Sequence, residues 1–314
     1  MQTHMRLVLH FRVNSSILGA RPCHSTSAGS RFPAQFVHIF RCKMSTTNGS
    51  TPNGAAAKKP NGKREIKVLM LHGYTQSGPL FRSKTRALEK LITKSLGPFN
   101  LVPSLFYPTG PTRLSPRDIP GFVPDEEGGG EDQDIDSWAW WRKDESSGSY
   151  RFLAEGVSAV ADAVRDGGDG GVDGVLGFSQ GGAFAALLAA MLETPHRADD
   201  KIPEVLRAPV QALREANGGR PLKFAVIYSG FYAPPEELRW AYEPKIKTPT
   251  LHFLGSLDTV VEESRSQGLV DRCEDPMVVV HPGGHYVPIS KEWAMPLIGF
   301  IKKIADEESP QSNI

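Results

Sequence analysis

The chain has 314 residues, 39% of them hydrophobic, enough for one large domain or two small ones with a full core. Its net charge of +1 hides a split: residues 1–64 hold ten Lys and Arg and no acid, which leaves residues 65–314 at −9. A body of that sign argues against nucleic-acid binding. No apolar run approaches the ~18 residues of a membrane span, and the body's one cysteine, Cys273, has no partner there for a disulfide framework.

The amino-terminal stretch "MQTHMRLVLHFRVNSSILGARPCHSTSAGSRFPAQFVHIFRCK" is Arg-spaced, Ser-containing and acid-free, the form of a mitochondrial presequence. A second reading takes residues 1–43 as sequence upstream of the true start, with Met44 opening an ordinary flexible terminus. In both readings residues 1–64 lack the apolar periodicity of a packed domain and are expected to be disordered.

From residue 65 strands and helices alternate. "IKVLML" (66–71) is a short apolar run stopped by "HGYTQSG", as a buried parallel strand would be. Leu80, Ala87, Leu88, Leu91 and Ile92 then follow helical spacing up to Gly97-Pro98. "LVPSLFY" (101–107) reads as a second strand. Residues 108–149, with Pro, Gly, acids and the cluster "WAWW", break the rhythm as a long lid-like loop.

Helix returns at about 150–166, where Phe152, Val157, Val160 and Val164 mark one apolar side. A strand at 172–178, a helix at 180–193 and a polar, Pro-containing insertion near 194–220 come next. Strands at 222–229, 249–254 and 276–281, with helices near 260–270 and 289–304, complete a domain spanning 65–306, and 307–314 is a flexible tail. Six strands separated by helices predict an α/β fold: a mostly parallel sheet with helices on both faces.

"GVLGFSQGGAFAALLAAML" (174–192) runs a strand directly into a helix, with Gly177 and Gly181 two places either side of Ser179. A serine at so sharp a turn needs neighbours without a Cβ, and the turn lifts its hydroxyl to the sheet's carboxyl edge. The helix amino terminus beneath it favours developing negative charge. G-x-S-x-G alone is a weak signal in a chain with 31 glycines; its strand–turn–helix setting gives it weight.

Such a serine needs a base, and the base an orienting acid, in the chain order Ser, acid, His. His196 falls in the insertion and His252 inside a strand. In "VVVHPGGHYVP", His281 ends a strand and reads as a packed histidine, whereas His285 follows two glycines and is the base of choice. Asp258, in "FLGSLDTVV" just past a strand, is the acid; Asp271 reads as a solvated helical charge. Two backbone N–H groups should receive the oxyanion: that of Gln180, after the nucleophile, and that of Tyr74, in "LMLHGYTQSG". His72 in that loop reads as structural. Trp138, Trp140 and Trp141, with Phe106, Tyr107, Phe231 and Tyr232, are candidates for an apolar acyl pocket.

Taken together, "VLMLHGYTQSG", "GVLGFSQGGAFAALLA", "FLGSLDTVV" and "HPGGHYVP", with "WAWW" and "FAVIYSGF", resemble the fungal family of serine hydrolases, related to the human ovarian-cancer-associated serine hydrolase. The resemblance covers about residues 65–304 and implies an α/β-hydrolase fold, no cofactor, and ester or thioester hydrolysis by Ser179, Asp258 and His285. It implies a small-molecule ester or acyl-thioester as partner and a cytosolic or nuclear location, against the mitochondrial one of a true presequence. An acyltransferase with the same triad and a catalytically silent binding fold are the rival readings. Oligomeric state is not legible in the sequence.

Overall fold

A computed structural model describes residues 8–10, 62–121, 135–168, 170–197 and 199–307 of the chain. The rest of the expected leader, the acid-rich residues 122–134 and the tail 308–314 lie outside the described residues. The described residues belong to one unit. Its strands begin with β1 (Val8–His10), three residues of the segment expected to be disordered, and β2 (Arg64–Leu71). α1 (Gly78–Leu96) and β3 (Leu101–Phe106) follow.

The long segment after β3 carries two small antiparallel ribbons. β4 (Thr112–Arg113) pairs with β5 (Trp138–Ala139), and β6 (Arg142–Lys143) pairs with β7 (Tyr150–Arg151). Then come α2 (Leu153–Asp166), β8 (Gly174–Phe178), α3 (Gln180–Leu192), α4 (Glu204–Ala216), β9 (Phe224–Tyr228), β10 (Thr250–Gly255), α5 (Glu263–Val270), β11 (Met277–His281) and α6 (Lys291–Glu307). The central sheet is parallel throughout, in the order β1-β11-β10-β9-β8-β2-β3. The six strands expected of the body are all present, and β1 adds a short seventh at the edge.

Period-two alternation sorts the strand side chains onto two buried faces. Ile66, Val68 and Met70 of β2, Leu176 and Phe178 of β8, and Phe224, Val226 and Tyr228 of β9 face one core with α1 and α6. Leu69, Leu71, Val175, Ala225 and Ile227 face the other with α2, α3 and α4. Burial on both faces is why these strands read as continuous apolar runs. α3 is buried on every side, which is why its apolar residues show no stripe.

Two elements differ from their sequence expectation. In α1 the buried stripe is Phe81, Thr85, Leu88, Ile92 and Leu96, while Leu80 and Ala87 are exposed. Thr85 can hide because its hydroxyl donates to Phe81 O at 2.8 Å. The expected insertion at 194–220 contains α4, whose Leu206, Val210 and Leu213 belong to the α2/α3 core. The α3–α4 junction is fixed by a buried Glu193–Arg197 pair at 2.7 Å. Glu193 also accepts Thr248 N–H at 2.9 Å, and Arg197 donates to Trp240 O at 3.2 Å, which ties α3 to the approach to β10.

Candidate active site

β8 ends at Phe178 and α3 begins at Gln180, so Ser179 alone makes the turn, with φ 54° and ψ −115°. A non-glycine residue held at such a φ is strained, and the surrounding packing must impose it. The two flanking glycines are what permit that packing. A Cβ on Gly177 would stand 2.0 Å from Gly181 O, and one on Gly181 would stand 2.3 Å from Leu71 O. Ser179 N–H donates to Tyr228 O at 2.9 Å, pinning the turn to the neighbouring strand.

Asp258 and His285 lie 27 residues apart, on the loops after β10 and β11. These strands are neighbours, and their loops interlock: Ser256 N–H donates to His281 O at 2.9 Å and Leu257 N–H to Gly283 O at 3.0 Å. His285 Nδ1 lies 2.8 Å from Asp258 Oδ2, and His285 Nε2 lies 2.9 Å from Ser179 Oγ. The other carboxylate oxygen of Asp258 accepts Val260 and Val261 N–H, both at 2.9 Å. Burial pushes the Asp258 carboxyl up, but the Val261 amide, His285 and the Val260 amide outweigh it and hold the group below the usual carboxylate range. Ionised Asp258 selects the His285 tautomer with hydrogen on Nδ1, which leaves Nε2 to accept from Ser179 Oγ. Phe178 packs on the imidazole, ring centroids 4.8 Å apart.

The loop after β2 abuts the nucleophile; a Cβ on Gly73 would lie 3.4 Å from Ser179 Cβ. Neither Tyr74 N–H nor Gln180 N–H donates to any described residue. His72, expected to be structural, is buried: Nδ1 donates to Gly73 O at 2.8 Å while Nε2 accepts Gly110 N–H at 2.9 Å. Accepting at Nε2 needs a neutral ring, and burial lowers its pKa to about 4 against the opposing pull of the Gly73 carbonyl.

The candidate pocket residues separate into groups. Trp140 and Trp141 are buried in the core and offer no wall to a pocket. Trp140 Nε1 donates to His72 O at 2.9 Å. The Gln180 side chain accepts Trp140 N–H at 2.9 Å and donates to Trp141 O at 2.8 Å. This amide clamp between the elbow and the "WAWW" segment was missed from sequence, because its partners are peptide groups some forty residues away. Trp138 is half-buried; its carbonyl accepts Thr75 N–H at 3.0 Å, beside the Tyr74 amide.

Phe106 packs on the end of α2, and Tyr107 lies 3.2 Å from Thr85 Oγ1 on α1. Their contacts are thus with the helices of the β3 edge. Phe231 and Tyr232 follow β9 and are half-buried against the α3 core. The other histidines downstream of Ser179 lie elsewhere: His252 and His281 are buried, with pKa values lowered by burial, and His196 lies 2.9 Å from Glu193 O.

Known proteins match this architecture over most of its length. A fission-yeast protein named dihydrofolate reductase (Schizosaccharomyces pombe) is 34% identical over 72% of this chain, but the match spans only 44% of that protein. Family of serine hydrolases 2 of Saccharomyces cerevisiae is 33% identical over 76% of this chain and 95% of its own length. Esterase OVCA2 of Danio rerio is 30% identical over 76% of this chain and 97% of its own. Among solved structures, Zea mays acyl-protein thioesterase 2 superposes with a TM-score of 0.48 at 21% identity, covering 79% of this chain and 96% of that one. The family described as serine hydrolase (FSH1) matches residues 62–297, a span that runs from β2 into α6 and contains every candidate site residue. With that span and a nearly full-length relative, the chain is a member of the serine hydrolase family.

Proposed function

We propose that this protein hydrolyses a carboxylic ester or thioester in two steps through an acyl-enzyme, with Ser179 as nucleophile. His285 Nε2 takes the Ser179 Oγ proton as the oxygen attacks the substrate carbonyl carbon. Asp258 holds the imidazole by Nδ1–H and stabilises it once charged. The carbonyl oxygen, now carrying the negative charge, is received by Tyr74 and Gln180 N–H. His285 gives its proton to the departing alcohol or thiol as the carbonyl re-forms. It then takes a proton from water as the water oxygen attacks the acyl carbon, and returns that proton to Ser179 Oγ as the C–Oγ bond breaks and the acid is freed.

The observation that carries this reading is the unbroken line Asp258–His285–Ser179, at 2.8 and 2.9 Å, ending on a serine strained to φ 54°. The Tyr74 and Gln180 amides donate to no described residue, which supports their role as the donors that such chemistry uses. The relatives named an esterase and a family of serine hydrolases agree with the reaction class. A fluorophosphonate probe should label the wild-type protein and leave Ser179→Ala untouched. Hydrolysis of a p-nitrophenyl ester should fall on the order of 10⁴-fold or more in the same variant. A wild-type protein that takes no label, or a Ser179→Ala variant that keeps it, would overturn the proposal.

A further inference from the structure

The aromatic pair Phe231-Tyr232 leaves the carboxyl end of β9 beside the nucleophile. Tyr228 O is the acceptor for Ser179 N–H, and a Cβ on Gly182 would stand 3.1 Å from Gly230 Cα, so this loop rides on the first turn of α3. α5 is tied to the loop on either side of one residue: Tyr232 N–H donates to Arg265 O at 3.2 Å, and Ser266 Oγ donates to Gly230 O at 2.8 Å. Between these anchors the Arg265 guanidinium carbon lies 4.5 Å from the Phe231 ring centroid.

Arg265 is exposed and makes no ion pair or side-chain hydrogen bond with any described residue. Arg272 offers the contrast. It lies 3.5 Å over Tyr232 and spends a donor on Gly268 O at 2.7 Å. Tyr150, whose ring stacks on Trp141 at 4.9 Å, completes the neighbourhood. Burial pushes its phenol up to about 12, and the charge of Arg265 acts on it in the opposite direction, so the two side chains share one field. A guanidinium laid on an aromatic ring keeps its in-plane donors free, and a planar fork of donors matches a carboxylate or phosphate.

We propose that Arg265, seated on Phe231 beside the Ser179 turn, binds an anionic group of the substrate, a carboxylate or a phosphate remote from the scissile bond. The proposal rests on the hydrolase reading above and narrows its substrate class to charged esters or thioesters. Such a group can belong to the acyl chain, as in a dicarboxylic monoester, or to the leaving group, as in a coenzyme A thioester.

Two matched substrate pairs separate these sources: p-nitrophenyl hemisuccinate against p-nitrophenyl butyrate, and butyryl coenzyme A against the butyryl thioester of N-acetylcysteamine. The readout is the ratio of kcat/KM for the charged member to that for the neutral one, which cancels general damage to the enzyme. In the wild type one pair should show a ratio of about threefold to tenfold at low salt, shrinking in about 0.5 M salt. Arg265→Met, which keeps the apolar stack, should bring that ratio to about one. Arg265→Lys should restore part of it, and Arg272→Met should retain it.

A wild-type ratio at or below one in both pairs, a ratio unchanged in Arg265→Met, or an equal loss in Arg272→Met would overturn the assignment. A protein that cleaves the neutral members without preference loses only this subsite. One that cleaves none of the four loses the hydrolase reading with it.

Discussion

The turn at Ser179 and the segment from Thr112 to Arg151 use the same physical device, yet only the first announces itself. At the turn, Gly177 is pressed against the carbonyl of Gly181, four residues on, and a Cβ would come within 2.0 Å. Against the second region, Gly156 of α2 is pressed on the carbonyl of Trp140, where a Cβ would come within 2.4 Å. Both glycines exist because another backbone needs their space. At the turn both partners lie inside one short motif, so the requirement becomes a pattern. For the second region the partner is sixteen residues away across the β6/β7 ribbon, and no spacing rule records it.

Replacing each glycine by alanine tests that equivalence. Gly177→Ala forces two backbones apart at the nucleophile, so it should cost at least about 3 kcal/mol of stability and abolish probe labelling. Gly156→Ala should cost a similar amount by chemical denaturation, because its obstacle is also a main-chain carbonyl. A Gly156→Ala protein as stable as wild type would break the comparison, making the second region a loosely draped loop.

What could be read from the sequence follows the same division. The Ser179 turn, the Asp258 loop and the His285 loop each sit directly after an apolar strand, so local pattern placed them, and chain order assigned their roles. α4 escaped notice because its fully buried apolar stripe is only Leu206, Val210 and Leu213, amid charged residues and Pro209. Trp140 and Trp141 read as pocket walls because large aromatics beside a site usually are. Their burial depends on the Gln180 side chain and His72 O, which satisfy the peptide groups and indole N–H that would otherwise need water.

His72 makes the second region's dependence on distant partners measurable through pH. Its folded pKa of about 4 lies below the ordinary value of 6.5, because burial outweighs the Gly73 carbonyl and the Asp136 charge, which both act to raise it. Between those values the unfolded chain binds the proton and the folded one does not. The stability held at neutral pH is therefore lost as pH falls through that window, by about 2 kcal/mol at pH 5 from this group. His252, lowered to about 3, adds a slope of the same sign, so the comparison must be between proteins that both keep it. His72→Gln should flatten the stability-versus-pH curve between pH 6.5 and 5 by about that amount. Parallel curves for the two proteins would mean that His72 does not sit in a closed, neutral hydrogen-bond circuit.

The smallest expected effect falls on catalysis through a residue that does not touch substrate. Trp140 Nε1 is the donor to His72 O, two residues before the Tyr74 amide, and the Trp140 main chain is held by Gln180, whose own amide is the second proposed donor. The long segment therefore ties together the two N–H groups that the proposed chemistry requires. Trp140→Phe keeps the aromatic packing and removes one hydrogen bond, leaving His72 O with one partner fewer. Slackening a preorganised donor loop should lower kcat by about three- to tenfold with KM little changed, since the oxyanion forms only in the transition state. A rise in KM at constant kcat would instead place Trp140 in substrate binding. An unchanged kcat with a lower unfolding midpoint would reduce the "WAWW" segment to packing and leave the turn at Ser179 as the one region on which rate depends.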